Sequence, residues 1–270
     1  MINPYYALAQ NFWFVSPTIY KSRFYKKLIR LNRENIFERN AEPELLWLKD
    51  FLPQKAVFIE VGPGWGDYVH WLDYILFPEN IHVFEPNKTL CKRLKNLFPK
   101  INFYQKALSN ENKKAELTIP ILNKEKINEE STLLDNITED EDTKIATQKA
   151  ECITLDSWCQ KRESERKELE RLDFIKIDTV GQELSVLEGA KETIEKFKPV
   201  LMVKIEQKYH SEPIWEVVSN IENYGYSAHY LHRESFSLEP LTKDILNSQN
   251  AIFAQDSNKF IKNIIFINNR

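Results

Sequence analysis

The stretch A-V-F-I-E-V-G-P-G-W-G-D-Y-V-H-W-L-D-Y-I, residues 56–75, decides the fold. An apolar, β-rich run from Ala56 to Ile59 meets the acidic Glu60, then Gly62, Gly64 and Gly66 within five positions, then an amphipathic segment starting at Asp67. The chain of 270 residues holds only six glycines, where average usage would place about nineteen. Three of them clustered against so poor a background imply that the backbone needs them. A strand, a tight turn and a helix in this order let main-chain N–H groups approach a small ligand. The stretch predicts a cofactor-binding turn.

The spacing narrows the cofactor. A dinucleotide turn wants G-x-G-x-x-G, with the last glycine packing the helix on the strand and the helix N-terminus facing a pyrophosphate. Here the pattern is E-x-G-x-G-x-G, and Asp67 stands where that last glycine belongs. A carboxylate disfavours a neighbouring pyrophosphate, whereas a ligand carrying an ammonium and a sulfonium welcomes Glu60. S-adenosylmethionine fits this turn better than NAD. The segment Ile81 to Pro86 reads as the next parallel strand, and Glu85 follows Glu60 by 25 positions, near the roughly twenty-residue offset of a ribose-binding carboxylate. A cap on the helix that starts near Asn87 is the plainer reading of Glu85 alone; beside the glycine turn, the ribose role is favoured.

Outward from this centre the chain alternates. A helix is expected over Glu42 to Phe51, another over Lys88 to Leu97, and a strand over Ile101 to Gln105. Further strands are expected over Lys113 to Pro120, Asp173 to Asp178 and Pro199 to Ile205. Gln182 to Phe197 reads as one helix and Pro213 to Tyr224 as another, and Ala251 to Ala254 and Phe260 to Ile267 as late strands, the latter open to an antiparallel setting. Strands separated by helices of ten or more residues predict a doubly wound, mostly parallel α/β sheet. Asn123 to Lys149 is charged and free of glycine, and is expected to be a surface loop rather than a packed layer. We divide the chain into an N-terminal helical extension, 1–50, and one domain, 51–270, with a charged insertion near 123–150.

Bulk properties exclude several classes. The net charge is -3 and the pI about 6.1, so nothing in the global balance calls for nucleic acid. Cys91, Cys152 and Cys159 lack C-x-x-C spacing and suggest neither a disulfide framework nor a zinc site. No apolar stretch approaches the ~20 residues that span a bilayer, and the first residues lack the order of a signal peptide. A cytoplasmic place of work is expected. Lys21 to Arg33 carries six basic and no acidic side chains interleaved with apolar ones. It reads as an amphipathic basic helix, either docked on the domain edge with its charges solvated or in contact with a membrane surface or a partner.

Four separated segments resemble the FkbM family of S-adenosylmethionine-dependent methyltransferases, which have the Rossmann-like class I fold. They are E-V-G-P-G-W-G-D-Y at 60–68, V-F-E-P-N at 83–87, A-L-S at 107–109, and F-I-K-I-D-T-V-G-Q-E-L-S-V-L-E-G-A at 174–190. Weaker echoes are S-T-L-L at 131–134 and I-T-L-D at 153–156. The resemblance implies O-methylation of a hydroxyl on a sugar, glycan or natural-product precursor. It implies cofactor contacts at Glu60, Gly62, Pro63, Gly64, Gly66, Glu85, Pro86, Ala107 and Leu108, and a substrate cleft at Asp178. Two departures matter. Val180 stands where the family usually carries Glu, so a carboxylate is missing beside the cleft; Glu60 and Pro63 stand where its first motif commonly carries Asp and, between the first glycines, Ala-Asn. A noncatalytic binding or scaffold protein on the same fold therefore stays open as the rival reading.

Methyl transfer needs an acceptor held in line and its proton removed. Asp178, at a strand's carboxyl end, is the first candidate for that base. Glu206 and His210 follow the next strand and are secondary candidates. Glu183 suits a helix's first turn as well as catalysis. A divalent ion held by Asp178, Glu206 and His210 is conceivable, but spacing alone does not assign a metal. His70, His82, His229 and His232 read as structural or surface histidines. Trp65 reads equally as a cover on the cofactor or as packing under the sheet.

Overall fold

A computed structural model describes residues 12–39, 41–122, 125–126, 131–133, 144–252 and 260–269. At its centre the apolar run Phe58–Val61 forms β1, buried along its length. It is flanked by two parallel partners, β2 (Ile81–Phe84) and β8 (Phe174–Ile177). Strands buried on both faces are what near-continuous apolar runs become. Outward lie β3 (Asn102–Tyr104) beside β2 and β9 (Val200–Lys204) beside β8, both parallel. Beyond β9 the direction reverses: β12 (Asn263–Asn268) and β10 (Tyr226–Leu231) run antiparallel, and β11 (Leu238–Pro240) closes that edge. The order is β11-β10-β12-β9-β8-β1-β2-β3. Because β1, β2, β8 and β9 run parallel, their carboxyl ends share one rim, and the strand order reverses at β1, where open α/β sheets bind ligands.

Helices cover both faces. One face receives α1 (Pro17–Phe24), α2 (Glu44–Phe51), α3 (Asp67–Ile75) and α4 (Lys88–Leu97), packed through Tyr20, Leu45, Leu72 and Leu94 onto Phe58 and Phe174. The other receives α5 (Leu155–Ser164), α6 (Glu183–Glu188), α7 (Lys191–Phe197) and α8 (Ile214–Glu222), packed onto Ile59, Ile175 and Leu201. A last helix, α9 (Lys243–Ile252), precedes β12. A second, four-stranded sheet is made of β4 (Ala107–Leu108), β5 (Lys113–Leu122), β6 (Glu125–Lys126) and β7 (Lys144–Ile153), in the order β4-β7-β5-β6.

Four expectations are corrected. The basic segment is helical only to Phe24; turns follow, because Tyr25 and Leu28 leave the helical line to bury fully. The helix expected over Gln182 to Phe197 is two, broken at Gly189, where a Cβ would stand 2.0 Å from the Ser109 carbonyl oxygen. The charged insertion is not all loop: 144–149 belong to β7, whose pairing with β5 runs in register from Lys113 opposite Cys152 to Ile121 opposite Lys144. Of the late strand expected at 251–254, Ala251 and Ile252 end α9 and the remainder lies outside the described residues. The Phe260 to Ile267 strand is present as antiparallel β12.

Candidate functional site

The turn after β1 is built from three left-handed glycines, with φ of +75° at Gly62, +53° at Gly64 and +86° at Gly66. At Gly62 a Cβ would lie 2.1 Å from the Asp178 carbonyl oxygen, so two neighbouring strands approach there as only glycine allows. The Trp65 carbonyl between the last two glycines is latched from outside. Tyr25 Oη donates to it at 2.8 Å and Arg93 Nη1 at 2.7 Å. Arg93 is buried and lies among Tyr20, Phe24, Tyr25 and Trp65, with Tyr20 Oη 3.3 Å from Nη2. Trp65 thus packs beneath this cluster while also lining the cleft.

Two cavities meet at this turn, sharing Gly62, Gly64, Asp178, Thr179 and Val180 as lining. The first is narrow and mainly apolar, walled by Phe84, Pro86, Leu90, Ala107 and Leu108, and closed by Leu117 of β5 with Thr132 and Leu133 of a segment that bridges to β5 at Thr118. Its polar lining includes Glu85, beside Ser131, Asp178 and Gln182. The buried Glu85 carboxylate accepts the Asn87 N–H at 2.7 Å through Oε1, and burial pushes its pKa up to about 8. The cap of α4 is Asn87, whose Oδ1 accepts from Thr89 and Leu90 N–H; Glu85 holds Asn87 from behind and faces the cavity.

The second cavity is polar and larger, about 370 Å³, between the turn, α2 and the end of β9. Register explains its lining. Glu60 stands opposite Lys176, and Ile177 opposite Val203, so the two-residue period of strands puts Glu60, Lys176, Asp178 and Lys204 on one face. Lys176 Nζ lies 3.0 Å from Asp178 Oδ2, 3.4 Å from Glu60 Oε1 and 4.4 Å from the Tyr68 ring centre. Burial opposes the Lys176 charge, but Asp178 and Glu60 outweigh it and its pKa is raised. Lys204 Nζ adds a second ammonium 3.3 Å from Asp178 Oδ1. Burial would raise the Asp178 carboxyl; Lys176 and Lys204 overcome this and hold it below the ordinary range.

These placements sort the sequence-derived residues. Gly62, Gly64, Glu85, Pro86, Ala107 and Leu108 line the narrow cavity; Pro63 and Gly66 line the polar chamber beside it. Glu60 does not face either cavity. It is wholly buried behind Lys176, and burial pushes its pKa up to about 7 against the pull of that ammonium. Asp178 lines both cavities, but an acid held low by two ammonium groups is a poor proton acceptor, which weakens its candidacy as the base. Glu206 lines the chamber, 3.9 Å from Lys204 and 3.8 Å from Lys208. His210 turns to Glu183 instead, with 3.1 Å between Nε2 and Oε2. The trio Asp178, Glu206 and His210 does not form a common ligand set, since the Lys204 ammonium occupies the gap between the two acids. Among the described residues no group of three or more His, Cys, Asp or Glu is arranged to hold a metal ion.

Burial lowers the His70 pKa to about 4 and the His82 pKa to about 3, as structural histidines would have it. Sequence reasoning missed Lys204, Tyr209 and Glu42 in the chamber and Leu117 over the narrow cavity. The β9 register could have found Lys204. Nothing in the sequence marks Glu42 for the chamber; it accepts from Tyr68 Oη at 2.6 Å and from Asn263 Nδ2, 221 residues along the chain, at 2.9 Å.

The donor set fits S-adenosylmethionine: a buried carboxylate for a ribose diol beside an apolar slot, and a glycine turn leading to a chamber rich in carboxylates. The slot itself holds about 60 Å³, less than the ~150 Å³ that admits a benzene ring, so a purine enters only if the wall of Leu117, Thr132 and Leu133 moves outward.

A family model described as the methyltransferase FkbM domain matches residues 56–230. No curated protein matches the chain. Among solved structures, the chain is similar to the methyltransferase FkbM from Methylobacillus flagellatus KT, at 14% identity and a TM-score of 0.48, covering 94% of this chain and 60% of that one. It is similar also to a TehB-like SAM-dependent methyltransferase from Corynebacterium glutamicum, at 10% identity and a TM-score of 0.42, covering 99% and 100%. A third is Aeropyrum pernix fibrillarin in complex with natively bound S-adenosyl-L-methionine, at 10% identity and a TM-score of 0.38, covering 83% and 72%. The chain thus spans less than two thirds of the first of these relatives.

Proposed function

Because the chain belongs to the FkbM methyltransferase family, whose cofactor is S-adenosylmethionine, we propose that it methylates a hydroxyl oxygen of an uncharged acceptor, a sugar or similar polyhydroxylated molecule, seated in the polar chamber. The observation that carries this reading is the junction of the two cavities at Gly62, Gly64 and Asp178. Glu85 and the apolar slot would hold the adenosine end. The Asp178 carboxylate, kept ionised by Lys176 and Lys204, would accept a hydrogen bond from the ammonium of the methionine end or from the acceptor hydroxyl.

When bound, the cofactor supplies an electrophilic methyl group on a sulfonium. The chain's task is then to position the acceptor and to take up its proton. Glu206 is the chamber carboxylate least tightly paired, its ammonium neighbours standing at 3.8 and 3.9 Å, and we assign it the proton. Glu206→Gln is expected to lower kcat by about a hundredfold while leaving the Kd for S-adenosylhomocysteine unchanged. An unchanged kcat would remove Glu206 from the mechanism.

The reading is tested by calorimetric titration with S-adenosylhomocysteine, with NAD for comparison, followed by a screen of hydroxylated sugars for methyl transfer. Stoichiometric binding of the first ligand alone and a methylated sugar support it. Binding without transfer to any hydroxyl acceptor would favour the scaffold reading, for which Val180 at the cavity junction is the motivating observation.

A further inference from the structure

The N-terminal segment has two sides with opposite character. Tyr20, Tyr25 and Leu28 bury inward, onto Arg93 and the glycine turn. Outward, Phe14, Val15, Ile19 and Ile29 are 56 to 64% exposed, four of the eight large apolar side chains that stand out among the described residues. Ile19 and Arg23, four apart on α1, share one side of the helix. Exposed Lys26 and Arg30 continue the outward surface through the turns that follow.

The charge on this surface is of one sign. Residues 1–33 hold six basic side chains and no acidic one. Lys21 pairs with Asp73 at 3.1 Å and Lys27 with Asp67 at 3.6 Å; among the described residues, no carboxylate makes an ion pair with Arg23, Lys26 or Arg30. Residues 1–11 carry no charged side chain, so that part of the chain cannot neutralise them.

We propose that this face, Phe14 to Arg30, docks on an anionic lipid bilayer surface. Apolar side chains interleaved with basic ones, three of which pair with no carboxylate among the described residues, suit the boundary between headgroups and acyl chains: the former enter the apolar layer and the latter meet anionic headgroups. A nucleic acid would complement the charge but leave Phe14, Val15, Ile19 and Ile29 in water. Leu28, on the inner side of the same segment, lines the polar chamber, so a docked bilayer lies beside the catalytic cleft. The inference rests on the surface alone and stands or falls separately from the assignment of the acceptor.

The test is co-sedimentation of the full chain with vesicles of phosphatidylcholine containing 30% phosphatidylserine (about a third anionic, in the range of a cytoplasmic leaflet), against phosphatidylcholine alone. Binding to the anionic vesicles only, weakened by high salt, is expected. A basic residue at such a surface contributes about fivefold to partitioning, so Arg23→Glu, Lys26→Glu and Arg30→Glu together lose at least about a hundredfold. The matching charge change on the far side, Lys114→Glu, Lys161→Glu and Lys167→Glu, loses much less. Ile19→Ser with Phe14→Ser weakens binding about tenfold at constant charge. Both sets leave the inward anchors untouched, and unchanged thermal melting verifies that. Equal binding to neutral vesicles, equal loss in the two triple variants, no effect of the apolar substitutions, or displacement by equimolar duplex DNA would each overturn the proposal.

Discussion

Replacing Glu85 with Gln separates what the buried carboxylate does for the ligand from what it costs the fold. The wild-type group titrates near 8 when folded, against 4.5 in an unfolded chain, because burial disfavours its charge. Below 4.5 both states hold the proton. Between 4.5 and about 8 the folded protein keeps a proton that the unfolded chain has lost, so stability falls as pH rises, and the loss is complete above about 8. Each pH unit of that interval corresponds to about 1.4 kcal/mol, which sets a ceiling of about 5 kcal/mol. Water entering the slot and relaxation around the charge reduce this, and about 2 kcal/mol is the working value.

The amide keeps an oxygen for the Asn87 N–H and carries no charge, so Glu85→Gln escapes the penalty. At pH 9 and without ligand its Tm should exceed that of the wild type by about 4–8 °C, and at pH 5 the two should agree within about 2 °C. Differential scanning calorimetry at the two pH values reads the difference, in which the other titrating groups cancel. The same variant should bind S-adenosylhomocysteine about ten- to a hundredfold more weakly, having lost a charged acceptor for the ribose hydroxyls. A Tm difference independent of pH refutes the burial argument; undiminished affinity refutes the ribose assignment.

Three further outcomes follow from the same geometry. If ribose hydroxyls favour the ionised form of Glu85, binding of S-adenosylhomocysteine at pH 7 releases most of one proton, and its calorimetric enthalpy should differ between Tris and phosphate; identical enthalpies would mean that Glu85 does not change state. Gly62→Ala puts a methyl group 2.1 Å from the Asp178 carbonyl oxygen at a φ of +75°, and should cost at least about 2 kcal/mol in urea denaturation while abolishing cofactor binding. Lys176→Met leaves Glu60 buried without an ammonium and should cost about 3–5 kcal/mol. Adding Glu60→Gln should restore more than half of that, and simple additivity of the two losses would disprove the coupling.

The parallel strands, their helices and the glycine turn were legible because each rests on local chemistry: apolar runs, positive-φ positions and a period of 3.6 or two. The charged insertion was misread for the same reason. Residues 144–149 alternate little in hydrophobicity, and what makes them a strand is a long antiparallel partner, Lys113–Leu122, more than twenty residues upstream. The break at Gly189 depends on Ser109, eighty residues away. The motif position points Glu60 toward the cofactor, and its side chain does lie on the chamber's face of the sheet, but sealed behind Lys176. Cross-strand pairing with Lys176 fixes that face, and the parallel register that decides it is a tertiary property. Asp178 and Lys204 are linked in the same way.

That register also bears on the acceptor. The chamber collects Glu42, Asp67, Asp178, Glu183 and Glu206 against Lys176, Lys204 and Lys208, five acids to three bases. Such a balance favours the cationic end of a sulfonium amino acid and resists a carboxylate or phosphate on the acceptor, because an added anion would meet carboxylates already paired with the available ammonium groups. The carboxylate that the family carries at position 180 would deepen the imbalance. With Val180 there instead, the junction of the two cavities is apolar at that point; on the proposed reading this suits a neutral acceptor and leaves the proton to the β9 side, where Glu206 lines the chamber. The substitution that first suggested lost activity is therefore compatible with a changed site for the base, and Glu206→Gln, measured beside Val180→Glu, distinguishes the two: a displaced base predicts that Val180→Glu restores turnover to Glu206→Gln, whereas a chain that never catalysed gains nothing from either.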